Sequence, residues 1–578
     1  MISRTWRTSE RKYGVIVERD VSIPMSDGIS IDCDIFRPDS KDRFPAIIGV
    51  HAYDKSWQSA PSMPRFFDAK KNGSVEAGDS NFFVRRGYAH IIANVRGTGN
   101  SGGSFLNYGS RDVKDTYEII EWAAGQPWCD KNVGMFGVSY FAVAQLQVAM
   151  LNPPHLKALF APFGYTDFYR DKFYHGGILS YEFLCGWAGR TFKKTAQNRA
   201  NFRWSSLMRE KLGEAAFKEA IEEALRDKEI CAIPTLIDAL KNPENEGNPL
   251  IVDILLNKFD GAYYQERNIE HEKIKIPAYL GGCWGIYGLH LPGAFRAWKK
   301  IRAPKKMVIG PPIYLDRPVY QYQYESLRWF DHWLKGIENE IMNEPPIRLF
   351  IPETGEWKTT EDWPLPETKW TPFYLHSNGL LSEHEFWPNE TCSSFEDNTF
   401  NLRGELRFLS PPLVENTEVI GPIVLKLYAS TTDTDVLWFV SLLDVDADGS
   451  ERLLTRGWLR GSQRAIDPNE SEPWEPFHTH VKRELLRPNE IYEFDIKIIP
   501  TSNLFKPGHR IGLRIRCADD EKPKNSLEAI AQGHVWSQTP SWITVFHNSD
   551  HPSCLLLPIT RGNIIGTFIS GGDITVGG

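Results

Sequence analysis

Residues 133–150 constrain this chain more than any other stretch. The apolar run Val133-Gly134-Met135-Phe136 leads directly into Gly137-Val138-Ser139, and an apolar helical pattern over 141–150 follows without a linker. A strand, a tight Gly-x-Ser bend and a helix in immediate succession form a nucleophile elbow, which lifts the serine hydroxyl above a sheet. Gly137 removes the side chain that would clash in the bend. The start of the next helix offers free backbone N–H groups and a positive dipole end. The N–H of Tyr140 is therefore aimed at any oxyanion formed on Ser139. The closing glycine of a GxSxG pattern is missing, and Phe141 stands in its place.

The surrounding sequence supports a layered α/β sheet. Residues 15–36 read as a hairpin around Ser26-Asp27-Gly28. Residues 44–50 and 88–95 are short apolar runs of the kind buried parallel strands use. Val113, Tyr117, Ile120 and Ala124 share one helical face. From about 165 to 272 the chain turns helical, charged and aromatic, as an insertion above the sheet would. Strand patterns return at 276–280 and 306–309, with a helix carrying Leu327, Phe330 and Leu334. Beyond about 366 the texture is one of short alternating strands with turn signals, which predicts an all-β, jelly-roll-like sandwich. The expected divisions are a core in two parts, 1–164 and 273–365, a helical cap at 165–272 and a β-sandwich at 366–578. The turn Asp444-Val445-Asp446-Ala447-Asp448-Gly449 lacks the last acidic position of a calcium loop and reads as a polar hairpin turn.

With a net charge of −8 and no basic block, nucleic acid is not an expected partner. No apolar run reaches the roughly 20 residues of a membrane span, and residues 1–10 are polar, so a cytoplasmic location is expected. The eight cysteines are scattered without a CxxC pair, which predicts reduced, structural thiols and no zinc. No metal or organic cofactor is implied. The expected partner is a small-molecule substrate, and a homo-oligomer stays open.

Further motifs carry a family likeness: Ala52-Tyr53-Asp54-Lys55, Arg96-Gly97-x-Gly99-x-Ser101-x-Gly103, Glu121-Trp122, Gln126-Pro127-Trp128-Cys129, Gly281-Gly282, Asp433-x-Asp435 and Asp444-Val445-Asp446. With the elbow, they resemble the cocaine esterase and X-prolyl dipeptidyl aminopeptidase family of α/β-hydrolases through nearly the whole chain. The resemblance implies a serine hydrolase with a helical cap and a C-terminal jelly roll. It places Ser139 on the nucleophile, the Tyr140 N–H in the oxyanion hole, and the Tyr53 hydroxyl on the second oxyanion donor.

The other two triad positions do not carry over. The family's acid segment, Gly-Gly-Trp-Tyr-Asp-like, reads here Gly281-Gly282-Cys283-Trp284-Gly285-Ile286-Tyr287. Its histidine segment, Gly-Pro-Trp-x-His-like, reads Gly310-Pro311-Pro312-Ile313-Tyr314. A tyrosine with a pKa near ~10 is a poor base near neutrality, and a serine without a base is a poor nucleophile. The substitutes are His290, just past the degenerate acid segment; Asp316, just past Tyr314; and His175, in Tyr174-His175-Gly176-Gly177 at the start of the cap. His51 and His332 read as structural. Trp284, His175 and Tyr174 are expected to contact substrate, and the aromatic cap points to an apolar or cyclic ligand.

Three readings follow. The first is a serine-type hydrolase of an ester or amide bond with a non-standard triad. The second is a lyase, cyclase or acyl-transfer catalyst that kept the pocket, with Tyr53, Tyr314 and Ser139 as hydrogen-bonding groups. The third is an inactive binding homologue.

Overall fold

The structure is a computed structural model of the 578-residue chain. It describes residues 6–53, 73–188, 205–245, 247–285, 288–311, 322–385, 387, 389–398, 404–519 and 533–562.

Ten strands build the central sheet: β1 (Val15–Pro24), β2 (Ser30–Pro38), β3 (Phe44–His51), β4 (Ala89–Asn94), β5 (Cys129–Phe136), β6 (Leu156–Pro162), β7 (Ala278–Cys283), β8 (Lys305–Gly310), β9 (Ile347–Ile351) and β10 (Glu356–Thr360). Their spatial order is β1-β2-β4-β3-β5-β6-β7-β8-β9-β10. The pairings from β4 through β9 are parallel, and β1, β2 and β10 add antiparallel edges. Every residue of β3 and β4 is buried, which explains their mostly apolar sequence, since helices cover both faces of such strands. These helices include α1 (Ser110–Ala124), α2 (Tyr140–Ala149), α3 (Leu291–Lys300) and α4 (Gln323–Lys335). All ten residues of α2 are buried, and apart from Gln145 and Gln147, which bond to backbone carbonyls, its sequence is accordingly apolar round the helix.

The expected cap lies between β6 and β7. A π-helical turn, Phe168–Phe173, opens it, and short helices follow, among them Glu214–Ala224, Pro234–Lys241 and Asn248–Leu256.

The C-terminal strands differ from the expected sandwich. They are β11 (Lys369–His376), β12 (Leu380–Ser382), β13 (Cys392–Asp397), β14 (Leu406–Leu409), β15 (Thr417–Thr431), β16 (Leu437–Val445), β17 (Glu451–Arg460), β18 (Tyr492–Phe505), β19 (Arg510–Arg516), β20 (Ser541–Asn548) and β21 (Cys554–Arg561). Pairing runs β15-β18-β17-β16-β19-β14-β12-β11-β21 and returns to β15, because β21 bonds both β11 and β15. The domain is thus a closed β-barrel, with β13 and β20 as an offshoot of β15. A 15-residue β15 makes this closure feasible. It bends at Gly421, where the register to β18 shifts, and so it can pair with β18, β20 and β21 along its length. The Asp-rich turn is the expected hairpin turn: Gly449 N–H donates to the Asp446 carbonyl, and Asp444 pairs with Arg452 and His509.

The barrel shares a core with the sheet domain. Ile420, Leu437, Phe439, Trp458, Ile499 and Val535 pack into the same apolar cluster as the central strands. Among the described residues, no helix is long and apolar enough to cross a membrane.

Candidate active site

The elbow forms where the sequence places it. Gly137, at the end of β5, has φ +145°, and a Cβ there would lie 2.4 Å from Phe141 Cβ. Ser139 adopts φ 57° and ψ −117° as the cap of α2. A non-glycine residue at positive φ is strained, and persists only where its surroundings hold it. Here the Val138 N–H donates to the Glu76 carbonyl at 3.0 Å, and Gln145 Nε2 donates to the Gly137 carbonyl at 3.0 Å.

Ser139 Oγ lies 3.2 Å from His290 Nε2. His290 follows β7 and occupies the cap position of α3. Its ring packs edge-on to Phe163 (centroids 5.8 Å apart) and roughly parallel to Tyr165 (6.2 Å, 24°). Burial in this aromatic setting pushes its pKa down to about 3, with the Lys172 amine acting in the same direction. The imidazole is therefore neutral near pH 7, and in the tautomer with its proton on Nδ1, Nε2 can accept from Ser139.

Two features fix α3, and with it His290. Gly293 lets the helix lie directly on residues 164–166: a Cβ there would sit 2.2 Å from the Gly164 carbonyl oxygen. Arg296 forms a two-pronged ion pair with Asp171 of the π-helical turn, at 2.7 and 2.9 Å, and also donates to Thr166 Oγ1 at 2.8 Å.

Tyr53 stands just past β3. Its hydroxyl is hydrogen-bonded to Ser139 and to Trp187 of the cap, and burial, reinforced by the Glu76 carboxylate, raises its pKa. It is therefore a firmly protonated donor. Its backbone is held on both sides: the N–H donates to His51 Nδ1 at 3.1 Å, and the carbonyl accepts from Asn94 Nδ2 at 2.8 Å. This gives both His51 and Asn94 a positioning role. Tyr140 begins α2, and its buried ring stacks on Tyr108 at 3.9 Å and meets Tyr53 edge-on at 5.9 Å. Serine, histidine, the Tyr53 hydroxyl and the start of α2 thus converge, as acyl transfer requires.

Each of the three expected substrate contacts has a partner within the protein. The Tyr174 hydroxyl donates to the Ile254 carbonyl inside the cap, with its ring on Tyr169. His175 is hydrogen-bonded to His534 at 2.8 Å and stacked on Trp458, so it joins cap to barrel rather than serving Ser139. The Trp284 indole donates to the Phe350 carbonyl of β9 at 2.7 Å and packs toward Phe295. His175 also lines the cavity that runs past Pro292, Phe295 and Arg296 of α3. Tyr314 and Asp316 fall outside the described residues. His332 lies on α4 against Trp333.

Sequence reasoning missed Lys172, Tyr108 and Tyr165. A lysine inside the aromatic run Phe168-Tyr169-Arg170-Asp171-Lys172-Phe173-Tyr174 was the available signal.

A second Ser–His–carboxylate set sits in the barrel. Ser382 Oγ is 3.0 Å from His376 Nε2, and His376 Nδ1 is 2.8 Å from Glu390. However, His376 Nε2 also faces the His384 carbonyl at 2.9 Å. A carbonyl only accepts, so Nε2 carries a proton there and cannot serve as a base. This set is a structural tie.

Comparison with known proteins agrees with this architecture. The X-Pro dipeptidyl-peptidase (S15 family) model matches residues 27–313, and the X-Pro dipeptidyl-peptidase C-terminal non-catalytic domain matches 339–533. A cocaine esterase of Rhodococcus sp. is 26% identical, covering 94% of this chain and 99% of its own length. An Xaa-Pro dipeptidyl-peptidase of Lactobacillus helveticus is 22% identical over 55% of this chain and 38% of its own. In fold, a CocE/NonD family hydrolase from Staphylococcus aureus superposes with a TM-score of 0.78 at 24% identity, covering 94% of each chain. Two adjoining domain matches and a relative aligned from end to end establish that the chain belongs to the X-Pro dipeptidyl-peptidase (S15) and cocaine esterase family of hydrolases.

Proposed function

We propose that the protein is a serine-type hydrolase of ester or amide bonds whose base has moved to His290. The observation that carries this reading is the 3.2 Å approach of Ser139 Oγ to His290 Nε2. In the proposed cycle, Ser139 Oγ attacks the substrate carbonyl carbon while His290 Nε2 takes its proton. The developing oxyanion accepts from the Tyr53 hydroxyl and the Tyr140 N–H. His290 then hands the proton to the leaving alcohol or amine, which leaves an acyl group on Ser139. A water molecule, deprotonated by His290, attacks the acyl carbon and returns the serine. The base thus comes from the loop after β7, where the resemblance puts an acid, rather than from the loop after β8.

The test is covalent labelling. A fluorophosphonate probe should modify Ser139, located by peptide mapping. Ser139→Ala should abolish the labelling, and His290→Ala should slow it by at least 100-fold. Loss of either residue should lower kcat on an activated ester by about 10⁴- to 10⁶-fold. If Ser139 stays unlabelled while a substrate is converted without water, the protein is a lyase or cyclase on this fold.

A further inference from the structure

Lys172 lies in the π-helical turn Phe168–Phe173 and is 1% exposed. Its Nζ is surrounded by rings: Trp187 at 4.0 Å from the centroid, Phe173 at 4.9 Å, Tyr108 and Tyr165 at 5.0 Å, and Phe168 at 5.3 Å. Among the described residues, no hydrogen-bond acceptor reaches this amine. Among the described residues, the charge that acts on it is another cation, Arg267. Arg267 in turn is engaged by the carbonyls of Leu106, Asn107 and Tyr263.

The walls of this cage are also the walls of the Ser139 site. Trp187 hydrogen-bonds the Tyr53 hydroxyl. Tyr108 stacks on Tyr140, and Tyr165 lies along His290. The amine is therefore one aromatic ring away from both oxyanion donors and from the base.

A buried donor without an acceptor carries its full desolvation cost. The rings favour the ammonium form, whereas burial and Arg267 oppose it and hold the pKa well below the usual lysine value. An anion at Nζ would resolve both demands: it would supply the missing acceptor and the missing negative charge. A neutral acceptor would supply only the first.

We propose that Lys172 takes a carboxylate of the substrate, so that the preferred substrates are small esters or amides bearing a negative charge. The reaction part of this statement rests on the hydrolytic reading above, but the binding part does not. A lysine that served packing alone would be satisfied by its rings and would show no preference for an anion.

The experiment is calorimetric binding of phenylacetate and of its neutral isostere phenylacetamide to the full chain. Phenylacetate should bind at least 10-fold tighter, and Lys172→Met and Lys172→Gln should both erase that ratio. If neither variant folds, reductive methylation of wild-type protein replaces them: phenylacetate, but not phenylacetamide, should protect Lys172. Equal affinities, no binding of phenylacetate, a preference that survives in Lys172→Met, or unprotected Lys172 overturns the proposal. Fluorophosphonate labelling of Ser139 in the same samples reports separately on the hydrolytic reading.

Discussion

Phe141 stands two residues past Ser139, where a glycine usually allows helix and strand to approach. Its ring stacks on His51 at 4.8 Å and 17°, and presses on Gly49 of β3, where an added Cβ would meet it at 3.0 Å. The missing side chain of Gly49 makes room for the Phe141 ring on the strand side. Tyr53 is the most direct test of the oxyanion hole. Tyr53→Phe removes one donor and should lower kcat by about 10²- to 10³-fold with little change in KM. His290 sets the pH dependence. Its pKa is pushed down to about 3, so the accepting, neutral form persists well below the usual histidine range. The acid limb of kcat/KM should accordingly fall below pH 5, and a limb near 6.5 would mean that the base is not this buried imidazole. The places of Ser139 and Tyr140 were legible in the sequence because each is fixed by its own neighbours in the chain, and Tyr53 was singled out through the family resemblance. His290 was legible only as one of several histidines, since its partner is 151 residues away. The partners of Tyr174, His175 and Trp284 were not legible for the same reason: the Ile254 carbonyl, His534 and the Phe350 carbonyl come from distant elements.

Helix α3 is the element on which the proposed chemistry turns. It carries His290 at its start and Arg296 two turns on, and Gly293 sets its distance from residues 164–166. Gly293→Ala would drive a methyl group into the Gly164 carbonyl, and the helix would have to retreat. The expected result is a destabilisation of about 1–3 kcal/mol and a drop in kcat of more than 10-fold, measured by thermal unfolding and steady-state kinetics on the same sample. Strands β3, β4, β5, β7 and β8 were legible because burial on both faces writes itself as short apolar runs, whereas β6, β9 and β10 were not read from the sequence. Barrel closure was not, because it depends on β21 returning to both β11 and β15. Alternating hydrophobicity encodes a face for each strand but not which strands become neighbours.

At the scale of the molecule, the cap is held by the barrel. Arg460 of β17, almost fully buried, reaches Glu229 of the cap with two nitrogens and also pairs with Asp435. Arg460→Met would strand both carboxylates and should cost on the order of 3 kcal/mol, seen as a lower urea midpoint. Asp435, one of the motif residues of the sequence, is thereby explained as a clamp on Arg460 and Ser462. Acid should also unfold the protein early. Burial lowers His90, His175, His271, His290 and His478 each to about 3. Below the ordinary value near 6.5, the unfolded chain binds protons that the folded one refuses. Stability is then complete above about pH 6.5 and declines as pH falls toward 3, by about 1.4 kcal/mol per pH unit for each such histidine. Thermal unfolding temperatures should drop steadily from pH 6.5 downward, beyond what a screened surface charge would give. Closure of the barrel by β21 has a consequence for biosynthesis. The elbow and α3 leave the ribosome hundreds of residues before the strand that completes the ring. Domains fold in the order they are made, so the elbow and α3 are in place before β17 brings Arg460 to Glu229, and β21 closes the ring only after that.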